Sequence, residues 1–148
     1  MELLIRKITF DDMDEITELY AQTYQQEPWN ENWDKEIVKE KIKDAIENNH
    51  AENYCIQKGN KIIGAMFARR GYYINRKELC IDEFFIECGA QRKGIGKYFL
   101  ERIEKEMKQK NYSCLILLTK KAFPSELFYQ KNGFKTSPDM IVMYKMMA

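Results

Sequence analysis

The stretch from Leu79 to Lys110 constrains this chain more than any other. An apolar run, Leu79 to Ile86, leads into a basic glycine loop, Gln91-Arg92-Lys93-Gly94-Ile95-Gly96. An amphipathic pattern then runs from Gly96 to about Lys110. Ile81, Phe84, Phe85 and Ile86 make the run apolar on both faces, as a central strand requires. Beyond the loop, Ile95, Phe99, Leu100, Ile103 and Met107 fall on one helical face. Glycines let the backbone turn tightly and come close to a ligand. The first helical turn adds unpaired N–H groups and the positive end of the helix dipole. Strand, glycine loop and helix in this order can hold a phosphate. Ser113 to Leu118, nearly all apolar, reads as the next strand, parallel to its predecessor because a helix joins them.

The rest of the chain supplies the remaining elements. Leu3 to Thr9 reads as a first strand with Leu3, Ile5 and Ile8 inward. Asp11-Asp12 caps a helix carrying Met13, Ile16, Leu19, Tyr20 and Thr23. Glu27 to Trp33 breaks that pattern as an aromatic-rich loop, and a second helix covers Asp34 to Asn48, with Val38, Ile42, Ala45 and Ile46 on one face. Its charges, such as Lys39, Glu40 and Lys43, read as a solvated face. Tyr54 to Gln57 and Ile62 to Arg70 read as an antiparallel pair around a turn at Lys58 to Lys61. Gly71 to Lys77 reads as a loop with two tyrosines. Pro124 opens a short helix that Gly133 closes, and Phe134 to Thr136 and Ile141 to Met146 read as closing strands. The expected fold is α/β: one domain, residues 1–148, a mixed sheet with helices on both faces.

Bulk properties narrow the function. The 148 residues suit one core, and 45% apolar with 13% aromatic content fits a packed globule. A net charge of +1 gives no global pull toward nucleic acid or a membrane surface. No apolar run approaches the roughly 20 residues that span a bilayer. Met1 to Ile8 carries charges within its apolar run and lacks a signal-peptide layout, so a cytoplasmic location is expected. Cys55, Cys80, Cys88 and Cys114 form no Cys-x-x-Cys pair and read as free thiols. With His50 the sole histidine, neither a metal site nor a Ser–His–Asp or Cys–His apparatus is expected.

Two motifs and the element order make the chain resemble the GCN5-related N-acetyltransferase (GNAT) family, small bacterial members in particular. Gln91-Arg92-Lys93-Gly94-Ile95-Gly96 matches that family's Q/R-x-x-G-x-G/A acetyl-CoA signature. Leu127-Phe128-Tyr129-Gln130-Lys131-Asn132-Gly133-Phe134 resembles its F-Y-x-K-x-G-F segment. The resemblance implies a mostly antiparallel sheet splayed at its centre, with coenzyme A entering the split. It also implies acetyl transfer from acetyl-CoA to an amine by direct attack, with no metal.

By that resemblance, Gln91, Arg92, Lys93, Gly94, Ile95, Gly96 and Lys97 would bind the pyrophosphate. Arg92, Lys93 and Lys97 read equally well as surface charge. Phe85, Ile86 and Glu87 would pair with the pantetheine arm, and the Ile86 N–H would polarise the thioester carbonyl. Glu83 is the candidate base, alternatively a buried partner of a cation or a substrate-orienting carboxylate. Strand alternation puts Asp82 on the opposite face. Tyr129 matches the family's general acid, with a core tyrosine as the alternative reading. At the position of the family's pantetheine-contacting asparagine stands Ala122, so that contact is missing or Thr119 or Lys120 supplies it. Tyr24, Trp29, Glu31 and Trp33 suit a cationic amine through cation–π contact and charge, though Trp29 and Trp33 also suit anchoring the loop. Tyr72 and Tyr73 would form the opposite wall. A small-molecule amine is the leading acceptor, a protein amino group or a non-catalytic acyl-CoA module the alternatives, and the chain is expected as a monomer or homodimer.

Overall fold

The computed structural model describes residues 2–148. Two compact units divide the chain, one ending at Leu118 and one from Thr119 to Ala148. The first holds β1 (Leu3–Lys7), α1 (Met13–Gln25), α2 (Lys35–Glu47), β2 (Tyr54–Lys58), β3 (Lys61–Tyr73), β4 (Arg76–Ile86), α3 (Ile95–Gln109) and β5 (Cys114–Leu117). The second holds α4 (Pro124–Lys131).

Local chemistry sets these boundaries. A 3-10 turn, Phe10–Asp12, precedes α1, and the Asp12 carboxylate accepts from the Thr9 N–H at 2.9 Å and from both terminal nitrogens of Arg6 at 2.9 Å. Asp34 caps α2 by accepting from the Glu36 N–H at 2.9 Å. Gly94, at φ 79°, precedes the first residue of α3. Pro124 stands at the start of α4, where its missing N–H costs nothing.

The five strands lie in the order β1-β2-β3-β4-β5. The first four pair antiparallel, and β4 pairs parallel with β5. This is the mixed, mostly antiparallel sheet the sequence predicts, and helices cover both faces. On one face α3 buries Phe99, Ile103 and Met107 against Ile56, Met66, Leu79 and Ile81. On the other, Ile16, Leu19, Tyr20, Val38 and Ile42 of α1 and α2 pack on Ala65, Phe67 and Phe85. Each fully buried large side chain contributes roughly 1.5–3 kcal/mol of transfer free energy.

Two expectations fail. Gly71 to Lys77 is no loop: the antiparallel ladder continues through Tyr72↔Lys77 and Tyr73↔Arg76, and the chain reverses at Ile74 and Asn75. A two-residue turn needs positive φ, and Ile74 supplies it at 56°. Tyr72 and Tyr73 are therefore at a hairpin tip, with Arg76 about 23 Å along β4 from Glu83, and they do not wall a site there. The closing strands Phe134 to Thr136 and Ile141 to Met146 are also absent. Residues 134–148 carry no ladder, and Ile141, Met143 and Tyr144 are 77%, 83% and 87% exposed. β-propensity reports fitness for a pleated surface, but a strand exists only through a partner's hydrogen bonds.

Gly64 on β3 leaves no room for a side chain beside Phe85 and Ile86 of β4. A Cβ there would lie 2.6 Å from Ile86 Cδ1 and 2.9 Å from the Phe85 carbonyl oxygen. Gly64→Ala is expected to cost about 1–3 kcal/mol by overpacking. Thermal melting should show a Tm lowered by several degrees; an unchanged Tm would contradict this close approach.

Candidate active site

β4 has two neighbours, but only one follows it to its end. Pairing with β5 runs from Glu78↔Cys114 to Ile81↔Leu117 and stops. Pairing with β3 continues through Phe84↔Met66, Phe85↔Ala65 and Ile86↔Gly64. Within this unit, the β5 side of β4 beyond Ile81 is an open edge. This is the central splay the family resemblance implies. The Glu87 N–H donates to the Ile63 carbonyl at 2.8 Å, and the Phe85 carbonyl lies against Gly64. Residues 85 and 87 thus turn their polar groups toward β3, which corrects the expectation that they belong with Ile86 to the pantetheine-pairing edge. By alternation, Phe84 and Ile86 turn theirs to the open edge. There Gln91 Nε2 donates to the Ile86 carbonyl at 2.8 Å. Gln91 therefore braces the loop against the strand, and the Ile86 N–H remains on the edge.

One extra residue aims Glu83. Phe67 and Ala68 of β3 face Glu83 and Ile81, which leaves Asp82 as a bulge. A bulge changes which face every later side chain takes. Leu79 and Ile81 enter the core under α3, and unbroken alternation would send Glu83 and Phe85 after them. Instead Phe84 and Ile86 take the α3 side, and Phe85 joins the core under α1 and α2. The expected opposition of Asp82 and Glu83 is corrected for the same reason: both line one cavity of about 360 Å³. Tyr20 of α1, Lys41 and Asp44 of α2, and Phe67 and Arg69 of β3 supply its other principal walls.

Glu83 is the chemical centre of that cavity. Lys41 Nζ lies 3.0 Å from Glu83 Oε2, and the Tyr24 hydroxyl donates to Oε1 at 3.2 Å. Burial raises the carboxyl above the ordinary glutamate range, opposed by the Lys41 charge and by hydrogen bonds from Lys41 and the tyrosines. Burial, then the Glu83 charge, pushes the Tyr20 phenol far up, so it stays a donor. Asp82 is exposed and pairs with Arg69 Nε at 3.2 Å.

The Trp-rich loop stands beside this cavity. Tyr24 packs on Trp29 at 5.3 Å between centroids, and Tyr20 packs on Trp33 at 5.2 Å. Trp33 Nε1 donates to Glu31 Oε1 at 2.8 Å, and Lys41 Nζ lies 5.7 Å from the Trp33 ring centre. Tyr24, Trp29, Glu31 and Trp33 thus reach Glu83 through Tyr24 and Lys41, and are not among the residues that wall the cavity.

The glycine loop has the form the sequence predicts. Arg92 and Gly94 both take positive φ, 63° and 79°, and the Tyr98 N–H begins α3 by donating to the Gly94 carbonyl at 3.0 Å. The N–H groups of Ile95, Gly96 and Lys97 have no acceptor in their own helix. A Cβ on Gly94 would meet nothing within 4 Å, so its dihedral angle, not crowding, calls for glycine. Arg92, Lys93 and Lys97 are exposed, and Lys97 lies 3.9 Å from Glu101. These features fit a diphosphate.

In the second unit, Tyr129 is 9% exposed and packs edge-on against Phe128 and Phe134, each at 5.2 Å. Ala122 holds φ at 67°, a conformation asparagine tolerates better than alanine, and its N–H donates to Glu126 Oε1 at 2.9 Å.

Sequence reasoning missed Lys41, whose partner is far away in the chain. It also missed the bulge, although a signal exists. Inward apolar positions run 79, 81, then 84, 86, and that change of parity marks one extra residue.

Among the described residues, no group of three or more His, Cys, Asp or Glu could hold a metal ion. No described helix is long and apolar enough to cross a membrane. Comparison with curated proteins returns no match. Similar solved structures include a possible acetyltransferase from Clostridium difficile 630, at TM-score 0.85 and 16% identity over 100% of both chains. A GNAT family acetyltransferase from Staphylococcus aureus reaches TM-score 0.77 at 18% identity, over 98% of this chain and 100% of that one. Aminoglycoside N-acetyltransferase AAC(6')-Iy in complex with CoA reaches 0.77 at 14% identity, over 99% and 96%. At these identities the likeness carries the fold alone. The sequence itself matches the acetyltransferase (GNAT) domain over residues 19–143, and the chain belongs to that family.

Proposed function

We propose that this protein is an acetyl-CoA-dependent N-acetyltransferase that modifies a primary amine of a small molecule by direct attack. The observation that carries the reading is Glu83, turned by the Asp82 bulge into a cavity and carried on the strand whose β5 pairing ends at Ile81. Acetyl-CoA would supply an activated acetyl thioester. Backbone N–H groups from Arg92 to Gly96 would hold its pyrophosphate, with Arg92, Lys93 and Lys97 adding positive field. The open edge at Ile86 would pair with its amide-rich arm, and the Ile86 N–H would donate to the thioester carbonyl.

Only a neutral amine attacks, so a proton must leave. Glu83 would take it, directly or through water. Tyr129 stays in the reading as proton donor to the departing thiolate on its motif alone. A cavity of about 360 Å³ supports a small acceptor over a protein chain. Tyr24, Trp29, Glu31 and Trp33 would shape the approach of a cation. One solved neighbour is AAC(6')-Iy with a bisubstrate analogue, CoA-S-monomethyl-acetylneamine, so aminoglycosides belong in the acceptor panel. The enzyme would work in the cytoplasm, as a monomer or homodimer.

An amine panel read by free coenzyme A release tests the reading. Turnover with at least one amine is expected. Coenzyme binding with no release for any amine would favour a binding module. Glu83→Gln should lower kcat/KM by about 10²–10⁴-fold. Burial makes Glu83 keep its proton to higher pH, so kcat/KM should fall on acidification through a pH above the ordinary glutamate value of about 4.3. That step should vanish in Glu83→Gln; an unaltered pH profile contradicts the base. Gly94→Val strains a position at φ 79° and sets a branched side chain in the phosphate cradle. Calorimetry should show coenzyme affinity at least about tenfold weaker, a change of about 1.4 kcal/mol. Unchanged affinity would remove the loop from the site.

A further inference from the structure

Resting on this reading, we infer that Lys41 is a tethered stand-in for the acceptor, its ammonium occupying the position that an incoming substrate ammonium must take. Lys41 Nζ has the surroundings of a bound cation. It lies 3.0 Å from the Glu83 carboxylate and 5.7 Å from the centre of the Trp33 ring. The carboxylate is anchored from another side by the Tyr24 hydroxyl at 3.2 Å. A carboxylate, an aromatic face and a phenol are groups that recognise an ammonium. Here the ammonium belongs to the chain.

The two partners differ in freedom. The Lys41 side chain is 39% exposed and the Glu83 side chain 15%. Lysine carries a long, flexible stem, so it can leave while Glu83 stays. Asp44 lies three residues on along α2, in the same cavity wall, and offers a released Lys41 a second partner at ordinary helical spacing. The other charges are accounted for. Arg69 sits on Asp82, and Glu31 accepts from Trp33. With Lys41 in place, the cavity wall sets two cations, Lys41 and Arg69, against three carboxylates, Asp44, Asp82 and Glu83. Displacing Lys41 leaves a carboxylate for an arriving cation. Lys41 thus sets an affinity threshold: an acceptor gains the position only by outcompeting a side chain that is always present. Neutral nucleophiles gain nothing from displacing it, which favours cationic amines.

The test uses the full chain with Lys41→Met, which keeps length and loses charge, and Lys41→Arg, which keeps charge. Calorimetric titration with 1,4-diaminobutane reads the position without turnover. Lys41→Met should bind the diamine about tenfold more tightly than the parent, as removal of an internal competitor predicts. Lys41→Arg should show no such gain, and adding Glu83→Gln to Lys41→Met should abolish it. In the coenzyme-release assay, KM for the best amine should fall by a similar factor in Lys41→Met while KM for acetyl-CoA holds. A structural brace would do the opposite, raising the amine KM. Equal, weaker or absent diamine binding in Lys41→Met overturns the proposal. Tighter binding with no coenzyme release from either protein keeps the ammonium position and sinks the transferase reading.

Discussion

A single surplus residue in a sheet ladder organises this molecule. Asp82 has no partner of its own on β3, and the side chains before and after it exchange faces. Before it, β4 serves the core under α3; after it, Glu83 and Phe85 serve the α1–α2 side. β4 also parts from β5 at this point, where Ile81 makes the last pair. One local irregularity thus accompanies both an open backbone edge and a carboxylate turned into a cavity. Bulges bend strands and raise local twist, which is the deformation a splayed parallel pair requires.

The electrostatics follow from that placement. A carboxylate carried out of bulk water into this cavity pays for its desolvation, and its pKa rises. Lys41 and Tyr24 counter this by favouring the charged form. The same lysine that favours the charged form of Glu83 also occupies it. Activation and competition are therefore two effects of one contact, and an acceptor ammonium replaces both at once.

Much of this was legible in the chain. The parallel pair was readable because a continuous apolar strand, a glycine loop and an amphipathic helix leave few topologies open. Phe99, Ile103 and Met107 were readable because helical burial leaves a periodic trace. Glu83 stood out as a charge in an apolar run. What stayed hidden depends on partners. Lys41 looks like any solvated lysine until α2 is laid against β4. The hairpin at Ile74 and Asn75 lacks the usual asparagine–glycine signal, so its arms read as loop. Ile141 to Met146 has a strand's composition, and its exposure shows that composition does not supply a pairing edge.

The central claim is that the β4 edge beyond Ile81 receives the extended arm of acetyl-CoA while the loop before α3 holds its phosphates. Residue-resolved amide hydrogen exchange, with and without saturating acetyl-CoA, tests it most directly. The amide of Ile86, and those of Ile95 to Lys97, should become protected. The Phe85 amide, already turned to β3, should change little. Unchanged exchange at Ile86 and through the loop, with coenzyme demonstrably bound, would contradict the account.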